Sequence, residues 1–179
     1  MIRIHAGYLK GRYIKRVNIE TTRETASMVR EAVFNMLFAI EGNILDLFAG
    51  SGSYGLTALS LGADSCFFVD ANKKAIKTIY ENVNDLGLKN KVSIYNLNHE
   101  VFLKKNENTF NIIFLDPPYK FTNYLELLNL VSNHVVKLDG RIVLEIDKKN
   151  PVIEEFQDFH IEKQKVYGSK KIIIYVNNV

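Results

Sequence analysis

The stretch that most constrains this chain is Asp116-Pro117-Pro118-Tyr119, which follows the apolar run Phe110-Asn111-Ile112-Ile113-Phe114-Leu115. That run is short enough for a buried strand and too short for a globular helix. Two of the chain's three prolines sit here. A proline pair cannot continue a central strand or open ordinarily into a helix interior, so the chain leaves in a stiff, extended exit. A carboxylate, two rigid carbonyls and an aromatic ring then stand at the carboxyl end of a strand, where open α/β sheets bind ligands. Asp-Pro alone is also a common turn signal, and on these residues by themselves a plain turn or bulge competes.

One chemistry suits this group. An exocyclic nucleobase amine is a poor nucleophile because its lone pair is delocalised into the ring. The Asp116 carboxylate and the Pro117 carbonyl can accept its two hydrogens and turn the lone pair towards an electrophile, while Tyr119 stacks on the base. No general base of shifted pKa is needed, because the amine can lose its proton after alkylation.

The 179 residues predict one domain with a full core. A single cysteine, Cys66, excludes an internal disulfide and sits in the strand-like run Ser65-Cys66-Phe67-Phe68-Val69, as a buried core thiol would. His5, His134 and His160 are scattered without metal-ligand spacing, so no metal site is expected. No run is long enough to span a membrane, and Met1 to His5 lacks the apolar core of a signal peptide, which predicts a cytoplasmic protein. Charge is uneven. Residues 1–30 carry Arg3, Lys10, Arg12, Lys15, Arg16, Arg23 and Arg30 against Glu20 and Glu24, a surplus of five, leaving −2 for the rest of a chain whose total is +3. A basic arm on a near-neutral body is a footprint for a polyanion; a solvated hairpin is the plainer reading. Tyr8 and Tyr13, interleaved with Lys10, Arg12 and Lys15, fit either RNA stacking or half-buried strand positions.

Taken in order, residues 2–18 alternate as short strands or a hairpin, and a helix is expected from about Ala26 to Phe38 with Thr25 or Ser27 as N-cap. From Asn43 strand–helix units repeat. Strands are expected at Ile44–Phe48, Cys66–Val69, Val92–Tyr95, Phe110–Leu115 and Arg141–Ile146. Helices are expected at Leu56–Leu61, Lys73–Leu86, His99–Lys105 and Asn123–Val136, with a short one opened by Pro151. His160–Tyr167 and Lys171–Val176 flank the turn signal Gly168-Ser169. The pattern predicts an α/β fold: a mostly parallel Rossmann-like sheet with helices on both faces and a closing antiparallel hairpin.

Leu47 to Gly55 forms a glycine-rich turn after the first strand of the repeat, and Gly50, Gly52 and Gly55 satisfy G-x-G-x-x-G. Alone this reads as dinucleotide binding and a nicotinamide oxidoreductase. Asp46 before the glycines argues otherwise, since an anion suits a cation such as the sulfonium of S-adenosylmethionine better than a pyrophosphate. The double-proline exit argues the same way. Asp70, ending the next strand, can take ribose hydroxyls in either case.

Asp116 to Tyr119 resembles the D-P-P-Y signature of amino-methyltransferases. Together with residues 3–12, Thr22 to Thr25, Val29 to Asn35, Leu45 to Gly52 and Tyr167-Gly168, it makes the chain resemble the bacterial methyltransferase family that modifies the exocyclic N2 amine of a guanine in 16S ribosomal RNA. The resemblance implies a seven-stranded class I methyltransferase sheet over 43–179, an RNA-binding extension over 1–42, and S-adenosylmethionine as cofactor. It implies Asp116, Pro117, Pro118 and Tyr119 as catalytic residues. Asp46, Phe48, Ala49, Gly50, Ser51, Gly52, Asp70, Ala71, Asn98 and His99 would hold the cofactor, with Asn98 where an adenine-binding Asp is common and His99 acting through its amide. Arg3, Lys10, Arg12, Arg23 and Arg30 would meet RNA. The implied partner is 16S RNA, the small ribosomal subunit or an assembly intermediate, and nothing requires more than a monomer. Glu24 stands where the family usually has proline, and Ala26 and Ser27 where it commonly has threonine and aspartate. Rival readings are adenine-N6 methylation of DNA or RNA, protein glutamine methylation (which usually goes with Asn in place of Asp116), the oxidoreductase, and a non-catalytic RNA-binding module.

Overall fold

The computed structural model describes residues 1–17, 27–136 and 138–177. Arg23 and the Thr22–Thr25 motif lie outside these residues. In chain order the elements are β1 (Ile2–Arg3), β2 (Tyr13–Ile14), α1 (Ser27–Met36), β3 (Asn43–Leu47), α2 (Ser53–Ser60), β4 (Ser65–Val69), α3 (Lys73–Leu86), β5 (Val92–Tyr95), α4 (His99–Lys105), β6 (Ile112–Leu115), α5 (Tyr124–Ser132), β7 (Arg141–Asp147), β8 (Glu155–Phe156), β9 (Phe159–Tyr167) and β10 (Lys170–Asn177). No helix among the described residues is long and apolar enough to cross a membrane.

One sheet runs in the order β5-β4-β3-β6-β7-β10-β9-β8. Its first five strands are parallel, and β10 returns antiparallel beside β7. The expected count of seven strands is exceeded by β8, a two-residue edge strand. Pro151 does not open a helix: residues 151–154 are irregular and lead into β8. Phe156 there stacks on Phe159 at 5.2 Å and 1°, so hairpin burial replaces the helical turn.

Parallel strands are buried on both faces and read as continuous apolar runs; β6 is buried at all four positions. Alternation along each strand divides the core into two layers. Ile44, Cys66, Phe68, Phe114, Ile172 and Ile174 pack under α1, α2 and α3, and Leu45, Leu47, Ile113, Leu115, Leu144 and Tyr175 pack under α4 and α5. Cys66 is a fully buried core thiol, as its setting predicts.

The amino-terminal hairpin docks on the end of α2. The Ser60 carbonyl accepts from the Tyr8 N–H at 2.9 Å, Ser60 Oγ accepts from the Leu9 N–H at 2.9 Å, and it donates to the Ala6 carbonyl at 2.6 Å. Gly7 makes this approach possible. Its φ is +78°, and a Cβ there would stand 1.9 Å from the Ser60 carbonyl oxygen. Each bond contributes about 1 kcal/mol, so Gly7→Ala is expected to free the hairpin. Hydrogen exchange should then accelerate at the Tyr8 and Leu9 amides while the β3 and β6 amides stay protected.

The strand order reverses between β3 and β6, and the carboxyl ends of those two strands form the crevice where such sheets take ligands.

Candidate active site

Two loops leave the sheet side by side at this switch point. Leu47 pairs with Leu115 in parallel register, so Phe48 and Asp116 are the first residues beyond the sheet on adjacent strands. The Phe48–Gly52 turn and the Asp116–Tyr119 ledge therefore face a shared space.

The turn is built from backbone constraints. Phe48 has φ +71°, uncommon for a side chain of this size and costing about 1–2 kcal/mol. It persists because the Phe48 and Ala49 N–H groups both donate to the Val69 carbonyl at 3.0 Å. Gly50 has φ +57° with nothing within 4 Å of where a Cβ would sit, so its backbone is open to a ligand. Its N–H donates to Asp70 Oδ2 at 2.9 Å, and Asp70 Oδ1 accepts from the Asn72 N–H at 2.8 Å. Gly52 and Gly55 face inwards; a Cβ on Gly55 would lie 2.4 Å from the Phe68 ring.

Asp46 stands beneath the turn rather than on it. It is 3% exposed, and its Oδ2 accepts from the Gly55 N–H at 2.9 Å, inside the first turn of α2. Asp46, one of the expected cofactor contacts, thus fixes the turn from beneath. Burial pushes its carboxyl up to about 8; the Gly55 N–H opposes the rise, and Asp116 and Asp70 add to it. The folded chain thus keeps a proton that the unfolded chain releases near 3.8. Stability from this group is greatest below that value and falls as pH climbs towards 8. Asp46→Asn is expected to remove that component, giving a flatter plot of unfolding free energy against pH and a variant no less stable than its parent at pH 8. A parent whose stability rises between pH 4 and 8, with the variant following it, would count against this assignment.

At the ledge Pro117 is buried, Pro118 is exposed, and Tyr119 is 80% exposed. The Phe121 N–H donates to the Pro118 carbonyl at 2.8 Å, folding the exit back over the crevice. Phe121 meets Phe48 at 6.0 Å and His99 at 5.7 Å, and Phe48 meets His99 at 4.9 Å. Burial holds the His99 imidazole below its ordinary pKa, which keeps it a neutral ring within this cluster. Asn98 is the N-cap of α4, its Oδ1 accepting from the Glu100 N–H at 2.8 Å. Its neighbour Asn96 donates to the carbonyls of Asp70 and Ala71 at 3.0 Å, tying the β5 exit to the β4 exit.

A polar group that the sequence reading missed lies under the ledge. The Tyr54 hydroxyl donates to Glu145 Oε2 at 3.0 Å, and Lys170 Nζ is 3.4 Å from Glu145 Oε1. Glu145 interrupts the apolar run Ile142-Val143-Leu144 and Ile146 on β7, and a carboxylate at that point was the available signal. The Tyr54 ring stacks on Phe114, two residues before Asp116, at 5.0 Å and 14°, with Phe34 of α1 completing the cluster. Burial, with Glu145 and Asp116 alongside, pushes the Tyr54 hydroxyl up, so it remains a proton donor.

Arg30 joins this buried group and is not a surface RNA contact. It is 2% exposed, its Nη2 donates to Ser27 Oγ at 3.1 Å, and its charge acts on the Tyr54 hydroxyl. The α1 stripe turns it inwards with Val29, Val33 and Phe34. Arg3, Lys10 and Arg12 stay at the surface, although Arg12 gives one donor to the Asp85 carbonyl at 3.0 Å. Tyr8 and Tyr13 are 65% and 56% exposed, which removes the half-buried reading.

Switch-point turn, acidic strand end, proline ledge and strand order together define a Rossmann-like methyltransferase fold. The family described as conserved hypothetical protein 95 matches residues 2–176. The chain belongs to that family, which includes the ribosomal RNA small subunit methyltransferases D. YlbH of Bacillus subtilis is 38% identical over 97% of this chain and 98% of its own length. Ribosomal RNA small subunit methyltransferase D of Haemophilus influenzae is 31% identical over 98% of this chain and 94% of its own. The solved structure of yhhF from Escherichia coli superposes with a TM-score of 0.87 at 27% identity, covering 98% of this chain and 97% of that one.

Proposed function

We propose that the protein methylates the exocyclic N2 amine of a guanine in small-subunit ribosomal RNA. The observation that carries this reading is the juxtaposition of Asp116-Pro117 with the glycine turn at the ends of paired strands. The donor set suits the cofactor. Gly50 leaves its backbone open, Asp70 offers a carboxylate to a ribose, and the Asp116 carboxylate stands at the neighbouring strand end, beside the space a sulfonium would take. Bound there, S-adenosylmethionine supplies an electrophilic methyl group.

The turn from Phe48 to Gly52 holds the methionine end, Asp70 and Ala71 the ribose, and Asn98 with the His99 amide the adenine, beside the Phe48 ring. Asp116 and the Pro117 carbonyl accept the two amine hydrogens and direct the lone pair into the crevice. Pro118 keeps the ledge rigid, and exposed Tyr119 stacks on a base splayed out of the RNA. Arg3, Lys10 and Arg12, with Tyr8 and Tyr13, contact RNA from the arm, within one catalytic unit spanning 1–179 and its extension 1–42.

The test is methyl transfer from labelled S-adenosylmethionine to small subunits taken from cells lacking the protein, followed by nucleoside digestion. N2-methylguanosine is the expected product. N6-methyladenosine would move the enzyme to the adenine class, and labelled protein with unlabelled RNA would overturn the reading.

A further inference from the structure

A groove of about 460 Å³ lies between α1 and β9, away from the crevice. Its volume falls within the range of small-ligand sites, roughly 300–1,000 Å³. Lys163, Lys165 and Tyr167 pair across β9 with Ile174, Ile172 and Lys170 of β10. Ile172 and Ile174 belong to the layer beneath α1, so these three side chains project on the side that α1 covers. Met28, Ala32 and Met36 recur every four residues on the facing side of the helix, and Glu31 is the one carboxylate among the groove's lining residues.

The groove has direction. Lys170 pairs with Asp147 at the carboxyl end of β7, and β7 is parallel to β6, so the Tyr167 end opens at the same edge of the sheet as Asp116. There Lys165 Nζ lies 5.3 Å from the Tyr167 ring centre. At the other end Lys163 Nζ donates to the Met36 carbonyl at 2.7 Å, keeping two further N–H donors.

Lys165 on one wall with Lys163 two residues beyond it, an aromatic ring between them and the active edge, and a facing wall of Met28, Ala32 and Met36 that also carries Glu31 and Asn35 match a particular ligand pattern. Strand residues two apart recur about every 6.7 Å, a spacing comparable to that of successive phosphates in an extended single strand. Flat bases between those phosphates need stacking or apolar contact. A purely apolar peptide would bring no counter-charge to either ammonium group.

We propose that this groove holds the RNA strand flanking the target base, with phosphates on Lys163 and Lys165 and a neighbouring base against Tyr167 and the Met28–Ala32 wall. The proposal rests on the RNA-methylation reading above. It adds a second contact surface to the one proposed for the basic arm.

The test compares the parent with the Lys163→Gln/Lys165→Gln double variant, in which glutamine keeps a donor for the Met36 carbonyl. Binding of a short single-stranded oligoribonucleotide is followed by fluorescence anisotropy across a potassium chloride series, and methyl transfer to small-subunit RNA is assayed in parallel. Losing two phosphate contacts should lower the slope of log K against log salt by about 1.4. KM for RNA should rise about tenfold, with kcat and S-adenosylhomocysteine affinity unchanged. Lys163→Arg/Lys165→Arg should restore binding, and Lys104→Gln/Lys105→Gln on α4 should behave as the parent. An unchanged slope and KM in the glutamine variant, with an active parent, overturns the groove and leaves the methylation reading intact. A defect confined to assembled subunits, absent with the oligonucleotide, assigns the groove to a protein and likewise overturns it. A parent that methylates no RNA but whose slope still drops in the variant removes the enzymatic reading and keeps the groove as an RNA surface.

Discussion

Asp116→Ala is expected to lower methyl transfer by at least about 10²- to 10³-fold, the range found when one preorganised hydrogen-bond partner of a reacting group is removed. S-adenosylhomocysteine affinity should stay near that of the parent. The separation follows from the two loops. The glycine turn is held by Val69, Asp70 and Asp46, none of which depends on the Asp116 side chain. Removing the Asp116 charge also takes away one of the influences that raise the Asp46 carboxyl, so the residual buried acid should titrate lower. The variant should therefore fold with a thermal midpoint at or above the parent's. Single-turnover methyl transfer and calorimetry with S-adenosylhomocysteine give the two readouts. Full activity, or binding lost together with activity, would remove Asp116 from the role assigned here.

Gly55→Ala should show the largest effect on stability. A Cβ at this position would stand 2.4 Å from Phe68 Cε1, 2.8 Å from Phe68 Cζ and 2.5 Å from Cys66 Sγ, all inside van der Waals contact. Phe68 and Cys66 are fully buried and have no room to retreat. Helix α2 must then move away from β3 and β4, stretching the Gly55 N–H bond to Asp46. A loss of about 3 kcal/mol, at the upper end for overpacking, corresponds at this chain length to a fall of about 6–12 °C in Tm. Adding Cys66→Ala should restore part of it by opening space beside the new methyl. A single variant within about 2 °C of the parent would mean that α2 does not press on the sheet as described.

Much of this architecture could be read in advance because it rests on local rules. The apolar runs at Ile44, Phe110 and Arg141 became parallel strands, and Gly168-Ser169 became the turn of the closing hairpin. The positions of Gly50, Asp70 and Asp116 after their strands followed from the same rules. What stayed hidden depends on which way a side chain faces in three dimensions. Arg30 reads as a cation on a helix, and only the packing of Val29, Val33 and Phe34 against the sheet shows that it turns inwards. Tyr54 and Glu145 are 91 residues apart and meet only when β7 takes its place beside β6. Pro151 carried a helix-start signal that four irregular residues and an aromatic hairpin overrode. The charge count by segment drew attention to the first 30 residues, because Lys163 and Lys165 are averaged with the acids of the same hairpin.

Asn82 of α3, 1% exposed, joins three parts of the molecule. Its Oδ1 accepts from the Lys15 N–H at 2.7 Å, while its Nδ2 donates to the Lys15 carbonyl at 3.1 Å and to the Ser51 carbonyl at 3.0 Å. One amide thus clamps the segment leaving the basic arm to the peptide that shapes the glycine turn. Cutting the arm away would strand two of its three bonds in a dry interior, so a shortened enzyme should suffer in cofactor affinity as well as in RNA affinity. Through this amide, the basic arm and the glycine turn share one fastening.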